Sequence, residues 1–77
     1  MKGENLLERI VTDPEVMLGK PVIKGTRLTV GIIIEKLAYG HSIDDIRRDY
    51  PFLCEDDIRA ALLYAAKRVE QEEIFAA

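Results

Sequence analysis

The chain has 77 residues and a mass of 8.7 kDa, which suffices for one domain with a thin core and leaves little room for an enclosed active site. Its net charge of −3 and isoelectric point near 5.1 count against a strong binder of nucleic acid or anionic membranes, although a local patch can differ from the sum. The single cysteine excludes a disulfide within the chain, and one histidine without a second cysteine leaves no zinc spacing.

No apolar run approaches the roughly 20 residues that cross a bilayer. The first residues lack the positive start and apolar stretch of a secretory signal. We therefore expect a cytoplasmic protein with a single domain over residues 1–77. Its texture divides it into an N-terminal β element (1–28), a three-helix core (29–69) and a tail (70–77).

The N-terminal element contains short apolar runs separated by turn signals. Residues 6–11 are compatible with a strand or with one helical turn, because six residues show no decisive periodicity. Gly19-Lys20-Pro21 is typical of a turn. The β-branched runs 22–23 and 27–30 flank Lys24-Gly25-Thr26, and this pattern predicts a hairpin.

Two helices with clear boundary signals follow. Thr29 is a suitable N-cap for the first helix, and Gly40 stands where a left-handed C-terminal cap belongs. The buried face of this helix is predicted at Val30, Ile33, Ile34 and Leu37. Ser42 to Asp45 resembles a capping box and opens a short helix that ends at Pro51.

A third, longer helix is predicted from Glu55. Its first turn is acidic, as the helix dipole favours, and its buried stripe is predicted at Ile58, Ala61, Leu62, Ala65 and Val69. Three helices joined by tight turns, with a short middle helix, are typical of a helix-turn-helix bundle. The fold class is therefore mainly α, a tri-helical helix-turn-helix with a short N-terminal β hairpin.

The residues with reactive side chains do not combine into a catalytic site. Ser42 is explained as a helix cap, and His41 lies alone in a turn. Cys54 is followed by three acidic residues that oppose thiolate formation, so it is interpreted as a small, partly buried residue at a cap position. Residues 19–26 do not match the spacing of a phosphate-binding loop. We expect no enzyme, no metal and no cofactor.

Basic residues in three places are candidates for DNA contact. They are Lys20, Lys24 and Arg27 in the predicted hairpin, Arg47 and Arg48 on the short helix, and Arg59 on the third helix. In a helix-turn-helix, such residues reach phosphates or base edges. They can equally balance nearby acidic residues, and the acidic start of the third helix would repel DNA. The sequence leaves both readings open.

A second set of residues indicates protein partners. Apolar residues on the first and third helices exceed what one core face needs, which predicts a homodimer. The tail is acidic and then apolar, which is compatible with a frayed end or with a segment that orders on a basic partner. The candidate partner-binding residues are Leu63, Tyr64, Ile74 and Phe75.

Several strings along the chain resemble a known family. They are Asp13-Pro14-Glu15-Val16, Gly19-Lys20-Pro21-Val22-Ile23, Gly25-Thr26-Arg27, Leu37-Ala38-Tyr39-Gly40, Ser42-Ile43-Asp44-Asp45-Ile46, Asp49-Tyr50-Pro51 and the segment 55–62. Together they resemble domain of unknown function family 433 over residues 6–66. One departure is Cys54, where the family pattern tends to carry Ser or Thr.

The resemblance implies a prokaryotic protein with a homeodomain-like helix-turn-helix preceded by a β element. It further implies an antitoxin of a type II toxin–antitoxin pair, which binds operator DNA as a dimer and neutralises a PIN-like ribonuclease toxin. The alternative is a protein-interaction module without DNA binding.

Overall fold

The structure is a computed structural model that describes the backbone of residues 6–76 and the side chains of residues 6–71. Two short strands and two 3₁₀ turns precede three helices. The 3₁₀ turns are Leu7–Arg9 and Met17–Gly19; the strands are β1 (Ile10–Val11) and β2 (Val22–Ile23); the helices are α1 (Val30–Ala38), α2 (Ile43–Asp49) and α3 (Glu55–Ala76). The predicted fold class, three helices with an antiparallel two-stranded element at the N-terminus, is confirmed.

The two strands pair in an antiparallel register. Ile10 lies opposite Ile23, and Val11 lies opposite Val22. Residues 6–11 were compatible with a helical turn or with a strand. They contain both in succession, the 3₁₀ turn Leu7–Arg9 and then β1. The prediction that residues 27–30 form the strand paired with β2 was wrong. This segment contributes only an isolated bridge between Val22 and Thr29. Residues 27–30 cannot extend this bridge into a ladder because Thr29 already caps α1.

Left-handed backbone marks the link between the strands. Met17, Leu18 and Gly19 have φ values of 51°, 60° and 83°, so the predicted glycine turn is confirmed and extends over two non-glycine residues. Such residues rarely adopt this region of backbone space. The amides of Gly19 and Lys20 close the turn by donating to the carbonyls of Val16 and Met17 at 3.1 Å each.

Capping interactions set the ends of α1 and the start of α2, as predicted. The Thr29 hydroxyl accepts the Ile32 N–H at 3.2 Å, and Gly40 has a φ of +94° just beyond the helix. Ser42 and Asp45 form a reciprocal capping box with N–H to oxygen distances of 3.0 and 2.9 Å. The hydrogen bond from the Ser42 N–H, together with Arg48, lowers the pKa of the Asp45 carboxyl.

The core lies where the three helices meet the β element. Ile33 of α1, Ile46 of α2 and Ile58 of α3 are each fully buried, and Ala60 and Ala61 let α3 approach closely. The other members of the core cluster are Ile23, Leu28, Val30 and Leu53, with Ile10, Ile34, Leu37, Ile43, Tyr50 and Tyr64 packed against them.

The buried stripe of α3 differs from the prediction. Leu62 and Val69 are 45% and 59% exposed, whereas Tyr64 packs against the core cluster. Ile58 and Ala61 are buried as predicted, and Ala60, which was not predicted, is buried as well. The helix also continues to Ala76 without a break at residue 69, because no glycine or proline interrupts the segment 55–76.

No helix in the described part of the chain has the length and hydropathy to cross a membrane.

Two adjacent isoleucines of α1 test the placement of the core. Ile33 is fully buried, whereas Ile32 is 37% exposed. We predict that Ile33→Val lowers the free energy of unfolding by about 0.5–1.5 kcal/mol through the lost methylene and the cavity left behind. Ile32→Val should change it by less than about 0.5 kcal/mol. Urea unfolding of both variants measures the difference, and equal effects would contradict the assigned face of α1.

Candidate functional site

A carboxylate–arginine cluster joins the N-terminal element to the start of α3. Arg9 Nη1 donates to Asp57 Oδ1 at 3.1 Å, and Arg9 Nη2 lies 3.8 Å from Asp56 Oδ2. The hydrogen bond to Asp57 raises the pKa of the Arg9 guanidinium above its ordinary value. The role of Arg9 was not predicted from the sequence, because its partner Asp57 lies 48 residues away and no local spacing links the two residues.

The same carboxylate caps α3. Asp57 Oδ2 accepts the Cys54 N–H at 3.0 Å, which is one half of a capping box. Arg9 Nη1 lies 3.4 Å from Cys54 Sγ, and Cys54 is exposed rather than partly buried as predicted. The acidic start of α3 therefore has a structural role, since Asp57 is buried and serves both neighbours.

Substituting the two adjacent aspartates separates this role from general surface charge. We predict that Asp57→Ala lowers the free energy of unfolding by roughly 1–3 kcal/mol, because the Cys54 N–H and Arg9 both lose their acceptor. Asp56→Ala removes only a long, half-exposed contact and should cost less than about 1 kcal/mol. Chemical denaturation of the two variants at neutral pH gives the comparison. A larger loss for Asp56→Ala would refute the role given to Asp57.

Two of the six candidate DNA-binding residues are paired within their own helices. Arg48 Nη1 lies 3.1 Å from Asp45 Oδ1, and Arg59 Nη2 lies 3.0 Å from Glu55 Oε2. These partners are three and four residues away, the spacing at which helical side chains meet. Arg48 and Arg59 thus correspond to the reading in which basic residues balance nearby acids.

The other four candidates have no ion pair with any carboxylate in residues 6–71. They are Lys20, Lys24, Arg27 and Arg47, all of them exposed. Arg47 Nε donates to the backbone carbonyl of Leu53 at 3.3 Å, which holds the guanidinium beside the loop between α2 and α3. Among the described residues of the N-terminal element and α2, these four cations are therefore the ones whose charge no carboxylate neutralises by an ion pair.

Arg27 lies at an open, mainly apolar pocket of about 450 Å³. Its lining consists of Gly25, Thr26, Arg27, Leu28, Tyr50 and Phe52. The Tyr50 and Phe52 rings meet edge to face with centroids 6.1 Å apart, and Lys36 Nζ lies 5.8 Å from the Tyr50 centroid. The pocket thus brings the segment 25–27 together with the aromatic loop, two motifs that lie far apart in the sequence.

Tyr50 and Phe52, the aromatic residues of this pocket, were not predicted from the sequence as site residues. The available signal was an aromatic residue on either side of Pro51, in a connection too short to bury both. Tyr50 is half-buried against the core and Phe52 is 59% exposed.

The candidate partner-binding residues lie on α3. Leu63 and Tyr64 are both half-buried. Ile74 and Phe75 fall within the backbone bounds of α3, but their side chains lie outside the described residues. The exposed apolar side chains of the described part of α3 are instead Leu62 and Val69.

A two-stranded antiparallel element followed by three helices, with the second and third helices joined by a tight turn, defines a small, mainly helical domain. The family described as "Protein of unknown function (DUF433)" matches residues 10–65. Because this match covers most of the chain, the protein belongs to the DUF433 family.

One solved structure shares the fold and the family, and two uncharacterized proteins are similar in sequence. A crystal structure of a DUF433 member protein from Anabaena variabilis superimposes with a TM-score of 0.78 at 26% identity, covering 97% of this chain and 75% of that one. The uncharacterized protein y4eO of Sinorhizobium fredii is 34% identical over 58 residues, which is 75% of this chain. An uncharacterized Archaeoglobus fulgidus protein is 67% identical over 24 residues, 31% of this chain and 67% of that protein. The chain spans about a quarter of the length of y4eO, 26%.

Proposed function

We propose that this protein is a cytoplasmic antitoxin without enzymatic activity, which binds duplex DNA as a dimer and neutralises a PIN-like ribonuclease toxin. The resemblance described above suggests the antitoxin role. The observation that carries the DNA-binding part is the group of unpaired cations, Lys20, Lys24, Arg27 and Arg47, among the described residues.

The position of Arg47 supports phosphate contact. In helix-turn-helix proteins the helix before the recognition helix crosses the DNA backbone, and α2 holds this place in the chain. The hydrogen bond from Arg47 Nε to Leu53 O occupies one nitrogen and orients the guanidinium. Its two terminal nitrogens remain suited to a bidentate contact with a phosphate.

The acidic start of α3 is less repulsive than the sequence suggests. Its three carboxylates, Glu55, Asp56 and Asp57, are accompanied by the guanidinium groups of Arg9 and Arg59. Three negative charges and two positive charges leave one net negative charge at this helix end. Partial neutralisation weakens the main argument against DNA approaching α3.

Charge neutralisation at paired and unpaired arginines tests this function. We predict that Arg27→Gln and Arg47→Gln each weaken binding to duplex DNA and reduce the slope of log affinity against log salt by about 0.9, the effect of one lost phosphate contact. Arg48→Gln is the matched control, because this guanidinium group is paired within its helix. It should change the slope by less than about half as much. Arg59→Gln removes a charge that accompanies Glu55 and Asp56, so it tests the repulsion at the start of α3 rather than a phosphate contact.

The measurement is fluorescence anisotropy with the protein's own upstream DNA and with an unrelated duplex, between about 50 and 200 mM salt. Tighter binding to the upstream duplex supports a repressor. Equal slopes for Arg27→Gln, Arg47→Gln and Arg48→Gln would remove the assigned DNA surface. Weak and flat binding by the unaltered protein would reject DNA binding by the protein alone.

The C-terminal half of α3 is the proposed partner site. Residues 66–71 are exposed, so this part of the helix lies beyond the core and leaves Val69 uncovered. We predict that deleting residues 70–77 abolishes binding to a PIN-like ribonuclease. DNA affinity should stay within about twofold, because the four cations proposed to contact DNA lie outside α3. Co-purification with the ribonuclease, beside the anisotropy assay, measures both. Retained co-purification would contradict a partner site in this segment.

A protein-interaction module without DNA binding is the second candidate. The net charge of −3 and the exposed Leu62 and Val69 on α3 favour it. Partner binding that depends on residues 70–77, together with no measurable affinity for either duplex, would favour this candidate over the first.

A further inference from the structure

Phe52 is a large aromatic residue that the core does not use. It is 59% exposed and lies between Pro51 and the buried Leu53, in the loop that links α2 to α3. Its contact with Tyr50 is edge to face, at 65° between the ring planes. Together with the turn of residues 25–28, the two rings line the open pocket of about 450 Å³. This volume lies in the range of small-ligand pockets.

Three cations lie near the loop that carries the Tyr50 and Phe52 rings. Arg27 lines the pocket, and Arg47 is bound to the carbonyl of Leu53, the residue after Phe52. Lys36 Nζ lies near the Tyr50 ring and also 3.9 Å from Asp49. An exposed aromatic ring in a pocket that Arg27 lines, with Arg47 bound to the next residue of the loop, suits a ligand that combines a flat π face with negative charge.

The lining of the pocket exposes little polar surface, and the Thr26 hydroxyl is occupied within the fold. Thr26 Oγ1 donates to Ile23 O at 2.8 Å and accepts the Leu28 N–H at 3.0 Å. A peptide backbone entering the pocket would find few partners for its own N–H and C=O groups. Stacking of a nucleobase needs no such partners, because every base offers a π face.

We propose that this pocket binds an unpaired nucleobase of single-stranded nucleic acid, with the base on Phe52 and neighbouring phosphates on Arg27 and Arg47. The contact has little sequence preference, because the pocket offers few free groups to read base edges. This activity goes beyond the proposed duplex binding, although the two share the arginines.

The experiment compares two exposed aromatic residues. Fluorescence anisotropy is measured with labelled oligo-dT and oligo-U of about 12 nucleotides, each against the unaltered protein and the variants Phe52→Ala and Tyr39→Ala. Tyr39 is 77% exposed and lies at the end of α1, outside the lining of the pocket. We expect Phe52→Ala to weaken binding by roughly 5- to 100-fold and Tyr39→Ala by less than about twofold.

Further variants separate stacking from loss of structure. Phe52→Trp keeps a π face and should bind within about threefold of the unaltered protein or more tightly, whereas Phe52→Leu should resemble Phe52→Ala. Thermal unfolding of each variant provides the check on folding. Oligo-dT and oligo-U bound equally indicate stacking and phosphate contact alone, and a preference for oligo-U adds a contact to the 2′-hydroxyl.

Three results would overturn the proposal: no binding of either oligonucleotide, equal affinity for Phe52→Ala and the unaltered protein, or Phe52-dependent binding only of an acidic, aromatic peptide. The duplex assay reports separately on the proposed function. Loss of duplex binding with retained, Phe52-dependent oligo-dT binding would reject the duplex function alone. The reverse pattern would reject the base pocket alone.

Discussion

The contacts of one buried carboxylate connect the elements that form the candidate surface. Asp57 accepts the Cys54 N–H at the start of α3 and a hydrogen bond from Arg9 in the N-terminal 3₁₀ turn. The carbonyl of Arg9 in turn accepts the Lys24 N–H at 2.7 Å, which places the turn that presents Arg27. A chain of hydrogen bonds thus leads from the end of the aromatic loop back to its basic neighbour. Since this domain has a thin core, such directional contacts add to apolar packing in fixing the positions of these elements.

The helix boundaries could be predicted from the sequence because local interactions determine them. Thr29, Gly40 and the pair Ser42 and Asp45 act within one or two turns of the chain, so their spacing is visible in a single sequence. The partner of β2 could not be predicted in this way. The neighbouring run, residues 27–30, was the expected partner, whereas the observed partner β1 is separated from β2 by residues 12–21 and no short turn signal links the two strands.

The face of α3 shows a different kind of limit. Aliphatic residues at helical spacing predicted Ile58, Ala61, Leu62, Ala65 and Val69 in the core. Ile58 and Ala61 are buried, whereas Leu62 and Val69 are exposed and the unpredicted Ala60 is buried. Small residues allow close helix contact, and the deep position belongs to the side chain that fits the space rather than to the most apolar one. The ion pairs of Arg48 and Arg59 were visible as three- and four-residue spacings, but Arg47 stands at the same spacing from Asp44 without pairing with it, so spacing alone does not separate the paired arginines from the unpaired ones.

A protein with a net negative charge can present a cationic surface when its carboxylates form ion pairs in other parts of the molecule. At physiological ionic strength, exposed charges farther apart than about 8 Å are largely screened from one another, so a ligand responds to nearby charges more than to the total. In the described structure, Asp45, Asp56 and Asp57 are engaged with Arg48 and Arg9. Arg27 lines the pocket with the exposed ring of Phe52, and Arg47 is held at the carbonyl of Leu53, the residue after it. The net charge of −3 therefore limits the strength of nucleic-acid binding without deciding where on the molecule such binding would occur.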